Sequence, residues 1–201
     1  MQNAPPRIVL ASTSRYRRQL LERLGWPFEV AAPGVDERAS PDEAPAATAL
    51  RLAEAKARAV AAIYPRALVI GSDQVAELDG RAIGKPADHA AAVAQLRAAS
   101  GRTVVFHTGV ALVDGASGGC TARLVDVAST FRTLHDEEIE HYLAREQPYD
   151  CAGSVKSEGF GIALFERIAS DDPTALIGLP LIAVAAMLRD AGVDVLRPPR
   201  P

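Results

Sequence analysis

A chain of 201 residues, 48% of them hydrophobic, carries enough apolar surface for one substantial core without disulfides or structural metal, and a single domain over residues 1–201 is expected. Its formal charge of -3 excludes the basic face that phosphate-backbone binders need, so no nucleic acid partner is expected; a free nucleotide needs only a local positive cluster. Cys120 and Cys151 have no metal-ligand spacing, and the run Ile8 to Ala11 is too short for a signal peptide or membrane span, which points to a cytoplasmic protein with no membrane association.

Arg7 to Ala11 reads as a buried strand, and Ser12-Thr13-Ser14 supplies N-cap hydroxyls for a helix that ends near Leu24, with Gly25 in the stop position. Phe28 to Ala31 is a second strand. The proline-rich acidic stretch Pro33 to Pro45 is a loop, and Ala46 to Ile63 a helix that Pro65 terminates. Ala67 to Gly71 is a short apolar strand, with Ser72-Asp73-Gln74 expected just past its carboxyl end, where open α/β sheets place ligands. Val75 to Leu78 and Arg81 to Ile83 form a hairpin around Asp79-Gly80. Asp88 to Ser100 is helical, Thr103 to Val113 and Thr121 to Phe131 are antiparallel strands, and Asp136 to Arg145 is a helix with an acidic first turn. Ile162 to Ile168 is read as a strand, Asp172-Pro173 as a helix start and Pro180 to Ala191 as the last helix. Helices interleaved with hairpins and single strands give an α/β fold around a mixed sheet.

Ser12 and Ser14 need do no more than cap a helix, but Arg17 just inside it adds a fixed charge to the amides and hydroxyls of that turn, a combination that holds phosphate. Of the 22 basic residues only three are lysines: Lys56, Lys85 and Lys156. Lys56 falls between Leu52 and Val60 on the helix face that should be apolar, where snorkelling to solvent competes with a buried role. Lys85 and Lys156 lie in loops, as solvated cations or phosphate ligands. Asp73 is either a turn former or a functional carboxylate, and Glu37 a solvated acid of an acidic loop.

Several sites are missing. The one Gly-Lys pair precedes Pro86, so there is no phosphate loop; His89, His107, His135 and His141 lack zinc spacing; no nucleophile elbow occurs. Attack by water with metal assistance fits this inventory better than covalent catalysis.

The runs Leu10-Ala-Ser12-Thr-Ser14-Arg-Tyr16-Arg17, Val35-Asp36-Glu37, Arg51-Leu-Ala-Glu-Ala-Lys56, Gly71-Ser-Asp73-Gln74, Gly84-Lys85-Pro86 and Cys151-Ala-Gly-Ser-Val-Lys156-Ser-Glu158-Gly together resemble the Maf family across nearly the whole chain. The resemblance implies an α/β fold of the Maf or ITPase-like kind: a mixed, elongated central sheet with flanking helices, and two lobes around a cleft. It implies hydrolysis of a nucleoside triphosphate to the monophosphate and pyrophosphate with a divalent cation (Mg, Mn or Co), and a homodimer. By resemblance Asp73 is the proton acceptor, also sharing the metal with Glu37, while Ser12, Ser14, Arg17, Lys56 and Lys85 bind phosphate.

Tyr16, Gln74 and Glu158 take the positions that select the base by the same resemblance. Members acting on thymidine and uridine triphosphates usually carry Arg, Thr and Gln there. This chain departs at all three positions and resembles the branch acting on 7-methyl-GTP, with Glu158 expected to read the guanine edge and Tyr16 the cationic ring. A pyrophosphatase for dTTP and UTP, and a nucleotide-binding regulator of cell division with incidental hydrolysis, are the alternatives.

Overall fold

The computed structural model describes residues 6–197. In chain order the elements are β1 (Arg7–Ala11), α1 (Arg15–Glu22), β2 (Phe28–Ala31), α2 (Pro45–Ala61), β3 (Ala67–Leu78), β4 (Arg81–Ile83), α3 (His89–Ala99), β5 (Thr103–Asp114), β6 (Cys120–Phe131), α4 (Asp136–Glu146), β7 (Phe165–Ala169) and α5 (Leu181–Asp190). Short 3-10 turns lie at Ala152–Ser154, Phe160–Leu164 and Ala175–Ile177. One mixed sheet runs in the order β2-β1-β3-β5-β6-β7, with β4 also on β3; β1 is parallel to β2 and β3, and the other pairs are antiparallel.

Alternation along the strands divides the core. Val9, Ala11, Ala67, Val69, Ala111 and Val113 pack under α2. Ile8, Leu10, Leu68, Ile70, Val110 and Leu112 point to the other face, against Leu20 and Leu21 of α1 and Leu181, Val184, Met187 and Leu188 of α5. Farther along that second face, Ala76, Leu78, Val104, Phe106, Val127 and Phe131 receive α3 and α4. Each fully buried Val, Leu, Ile, Phe or Met among them contributes about 1.5–3 kcal/mol through removal from water. Two lobes result, one with α1, α2 and α5, the other with β4, α3 and α4. The long strands β3, β5 and β6 run through both, giving the expected elongated mixed sheet.

Three local expectations are corrected. The strand that starts at Ala67 does not stop at Gly71: β3 continues through Ser72-Asp73-Gln74 to Leu78, because β5 pairs with it without interruption from Leu68 to Glu77. The stretch Ile162 to Ile168 begins as a 3-10 turn and becomes extended only at Phe165, where it meets Phe131 of β6. Asp172-Pro173 starts no α-helix. Asp172 is buried, and one carboxylate oxygen instead accepts from the amides of Ile182 (2.7 Å) and Ala183 (3.3 Å), satisfying the open end of α5 from ten residues upstream.

The Asp-Gly hairpin forms as expected, with Asp79 at φ 52° and Gly80 at φ 76°. Gly25 at φ 67° ends the turn after α1.

Candidate active site

The sheet itself creates the opening. On the edge of β3 away from β5, β1 pairs with Ala67 to Gly71 and β4 with Ala76 to Leu78, so Ser72 to Val75 have no strand beside them there. A cleft of about 680 Å³ lies at this gap, a size suited to a small molecule. Asp73 alternates to the α2 face, and Gly71 and Gly109, the latter Asp73's register partner, let α2 come close. A Cβ at Gly71 would collide with the Ala53 carbonyl, and one at Gly109 with the Ala49 carbonyl. Ala49, Ala53 and Ala57 give α2 a narrow face at helical spacing that fits this approach.

That closeness brings Lys56 to the cleft floor. Its side chain is 5% exposed, and Nζ lies 2.7 Å from Asp73 Oδ1 and 2.6 Å from Glu37 Oε1. Snorkelling is therefore not what this lysine does. A buried ammonium is tolerable only with compensating charge, and two carboxylates supply it. Desolvation pushes the Glu37 carboxyl up, but the hydrogen bond from Lys56 and the charges of Lys56, Lys85 and Arg17 outweigh this and hold it below its ordinary value.

Glu37 reaches Lys56 because its loop is pinned. Arg51 donates to both oxygens of Glu43 (2.6 and 2.7 Å) and to the Arg38 carbonyl (3.1 Å), while Glu43 also accepts from Ser40 N and Thr48 Oγ1. One turn of α2 thus fixes the loop with Arg51, and the next meets the loop's carboxylate with Lys56. Sequence reading missed Glu43 and Thr48; the pairing of Glu43 with Arg51 eight residues later spans the loop–helix boundary and has no helical spacing to betray it.

Ser12 and Ser14 hold the turn between β1 and α1. Ser12 Oγ accepts from Ser14 N at 3.1 Å, and Ser14 Oγ caps α1 by accepting from Arg17 N at 3.4 Å. Both line the cleft, so capping and cleft-lining coincide. Arg17 Nε donates to the Gly178 carbonyl at 2.8 Å, and Ser72 Oγ donates to the same oxygen at 3.0 Å. Burial lowers the Arg17 pKa, with Asp73 and Glu37 acting in the opposite sense. Lys85 is exposed on the opposite wall, and its charge is felt by Glu37. The Gly84 carbonyl accepts from Gly153 N and Gln95 Nε2, both at 3.2 Å, which fixes the backbone beside Lys85.

The three base-selecting candidates separate. Tyr16 stands at the cleft mouth beside Asp150. Gln74 points to the other face of β3 from Asp73, and its Nε2 donates to Thr108 Oγ1 (3.0 Å) and to the carbonyls of Ala175 (2.9 Å) and Leu176 (3.1 Å), so its amide nitrogen is engaged by the protein. Glu158 is exposed and off the cleft wall; partial desolvation, with Glu146 and Asp150 near, holds its carboxyl above the ordinary value. Lys156 donates to the carbonyls of Glu146 (2.8 Å) and Gln147 (3.2 Å), which makes it a C-terminal cap of α4. Nine of the ten predicted residues line one cleft, then, and Glu158 alone does not.

Among the described residues no three His, Cys, Asp or Glu side chains gather as a metal cluster, and no helix is long and apolar enough to cross a membrane. The family model described as Maf-like protein matches residues 7–191. The chain is similar to a protein of Burkholderia pseudomallei named 7-methyl-GTP pyrophosphatase, 59% identical over 201 residues, covering 98% of this chain and 94% of that one. Proteins of the same name from Ralstonia nicotianae (58% identical; 92% of this chain, 95% of that one) and Polaromonas sp. (61%; 92% and 85%) are similarly close. With its motifs converging on one cleft and this likeness running nearly end to end, the chain belongs to the Maf family.

Proposed function

We propose that this protein hydrolyses 7-methyl-GTP between its α and β phosphates, releasing 7-methyl-GMP and pyrophosphate. Relatives of that name at 58–61% identity over most of the chain support the substrate. The observation that carries the chemistry is the buried Lys56 joined to Asp73 and Glu37 at the floor of a cleft whose walls hold Arg17 and Lys85.

Hydrolysis breaks the P–O–P anhydride and forms one P–O bond to water. In this reading Asp73 accepts the water's proton: Lys56 engages Oδ1, which leaves Oδ2 as the basic oxygen. The leaving pyrophosphate gains negative charge, and Arg17, Lys85, the Ser12 and Ser14 hydroxyls and the first amides of α1 are the donors that offset it. Lys56 restrains Asp73 and adds positive charge beneath the phosphates.

The donor set also fits a divalent cofactor. Glu37 and Asp73 meet on one ammonium and offer two hard carboxylates, the complement that Mg²⁺-like ions take when substrate phosphates complete their shell. Bound there, Mg²⁺, Mn²⁺ or Co²⁺ would neutralise phosphate charge. Two free cysteines suit a reducing cytoplasm as the place of action.

Pyrophosphate release measured across 7-methyl-GTP, GTP, dTTP and UTP, with and without added metal, tests this reading. Highest kcat/KM for 7-methyl-GTP with metal present is expected; a preference for dTTP or UTP would replace the substrate, and no release from any nucleotide would remove the hydrolase.

A further inference from the structure

At the cleft mouth two side chains 134 positions apart in the chain meet: Tyr16 Oη donates to Asp150 Oδ2 at 3.2 Å. Arg15 fills the same corner. Its guanidinium carbon lies 4.7 Å from the centre of the Tyr16 ring, one nitrogen is 2.6 Å from Tyr16 Oη, and the same nitrogen is 3.8 Å from Asp150 Oδ2. A planar cation bearing N–H donors lies over an aromatic ring with a carboxylate close by.

A 7-methylguanine ring answers to that description. Methylation at N7 leaves the ring with a positive charge, and its N1–C2–N2 edge presents N–H donors arranged as in a guanidinium. We infer that Asp150 reads the donor edge of the base beside Tyr16, and that Arg15 holds the base's place in the free protein until the incoming ring displaces it. The inference rests on the reading of the cleft as a nucleotide site and deepens it by adding Asp150 and Arg15, both on the cleft wall, to the residues that select the base.

The surroundings favour this assignment. Arg15, Tyr16 and Asp150 line the same cleft as Asp73 and Lys85, so a base at the mouth is continuous with phosphates at the floor. The Arg15 side chain is 66% exposed, and on release its guanidinium passes readily to water. Asp150 is steadied from behind by Lys156 Nζ at 3.6 Å and by the Cys151 thiol, which donates at 3.4 Å, and Lys156 is itself locked onto the end of α4. Desolvation pushes the Tyr16 phenol up to about 12, so it stays a neutral donor that aims the carboxylate. A neutral guanine keeps the donor edge but loses the charge; a uracil keeps one N–H, at N3, and loses both the paired donors and the charge.

The test compares D150N and R15A with the unaltered protein in two assays: steady-state pyrophosphate release from 7-methyl-GTP, GTP and UTP, and calorimetric binding of 7-methyl-GMP, which needs no turnover. Both positions are exposed, and unchanged thermal melting verifies the fold. D150N is expected to lower kcat/KM for 7-methyl-GTP about tenfold, mainly through KM, with UTP changed less than about twofold, and to weaken 7-methyl-GMP binding about tenfold. R15A is expected to tighten 7-methyl-GMP binding roughly two- to fivefold, by removing a competitor for the ring. Equal changes for all nucleotides in D150N, or weaker binding in R15A, would overturn the assignment. Asp150-dependent binding without any turnover would instead overturn the hydrolase reading and leave this one standing.

Discussion

The floor and the rim of the cleft are built on opposite principles. At the floor, charge is buried: Lys56 is 5% exposed, and α2 lies almost in backbone contact with the sheet at Gly71 and Gly109. At the rim, Arg15 and Asp150 are more than half exposed, and the contact rests on side chains alone. Groups that must act on a reacting bond gain from low dielectric and fixed placement, whereas groups that choose among ligands must part and re-form at each binding event. On the proposed reading, the difference predicts that chemistry and selection can be perturbed separately in this molecule.

The largest expected effect falls at the floor. Asp73→Asn keeps the shape but removes the basic oxygen, and kcat should fall about 10²- to 10⁴-fold with KM little altered; single-turnover pyrophosphate release checks this, and near-normal kcat would release Asp73 from the role. Gly71→Ala comes next. The added methyl must push α2 off β3, at a cost of about 1–3 kcal/mol in stability as read by urea unfolding, and it should lower activity by displacing Lys56. An active, fully stable Gly71→Ala protein would mean that the floor needs no such closeness.

The smallest effect concerns the loop that carries Glu37. The hydrogen bonds from Arg51, then from Ser40 N, lower the Glu43 pKa from 4.5 to about 2. A carboxyl depressed on folding stabilises the folded state fully above its unfolded value and loses that contribution as pH falls toward its folded one. Hydrogen exchange across residues 33–44 should therefore quicken as pH drops from about 4.5 toward 2, after correction for intrinsic rates. Glu43→Gln should remove that dependence, and a loop indifferent to pH in the unaltered protein would show that Arg51 does not pin it by charge.

Much of this was legible in the sequence because local chemistry decides it. Ser14, Asp88 and Gly25 mark helix ends by side-chain and backbone rules that act within a few residues. The strand run at Ala67 is legible, but the sequence places its polar continuation just past the strand's end. Polar residues can occupy mid-strand positions where a neighbouring strand is missing, and the gap between β1 and β4 is a fact of topology rather than of pattern. Asp172 was placed at a helix start for its neighbour Pro173, yet it serves a helix ten residues on. Among the lysines, rarity singled out all three but could not separate Lys56, which faces carboxylates, from Lys156, which faces carbonyls. The meeting of Tyr16 with Asp150 lies beyond any spacing rule.

The interrupted edge of β3 acts as a ruler. Four residues, Ser72 to Val75, separate the registers of β1 and β4, and at roughly 3.3 Å per residue they set the slot at about 13 Å. Because β3, β5 and β6 are continuous beams through both halves, no hinge segment interrupts them to vary that gauge. Lengthening β3 there by two residues would widen the slot by about 7 Å while preserving which face each side chain meets, whereas one residue would turn the downstream faces over.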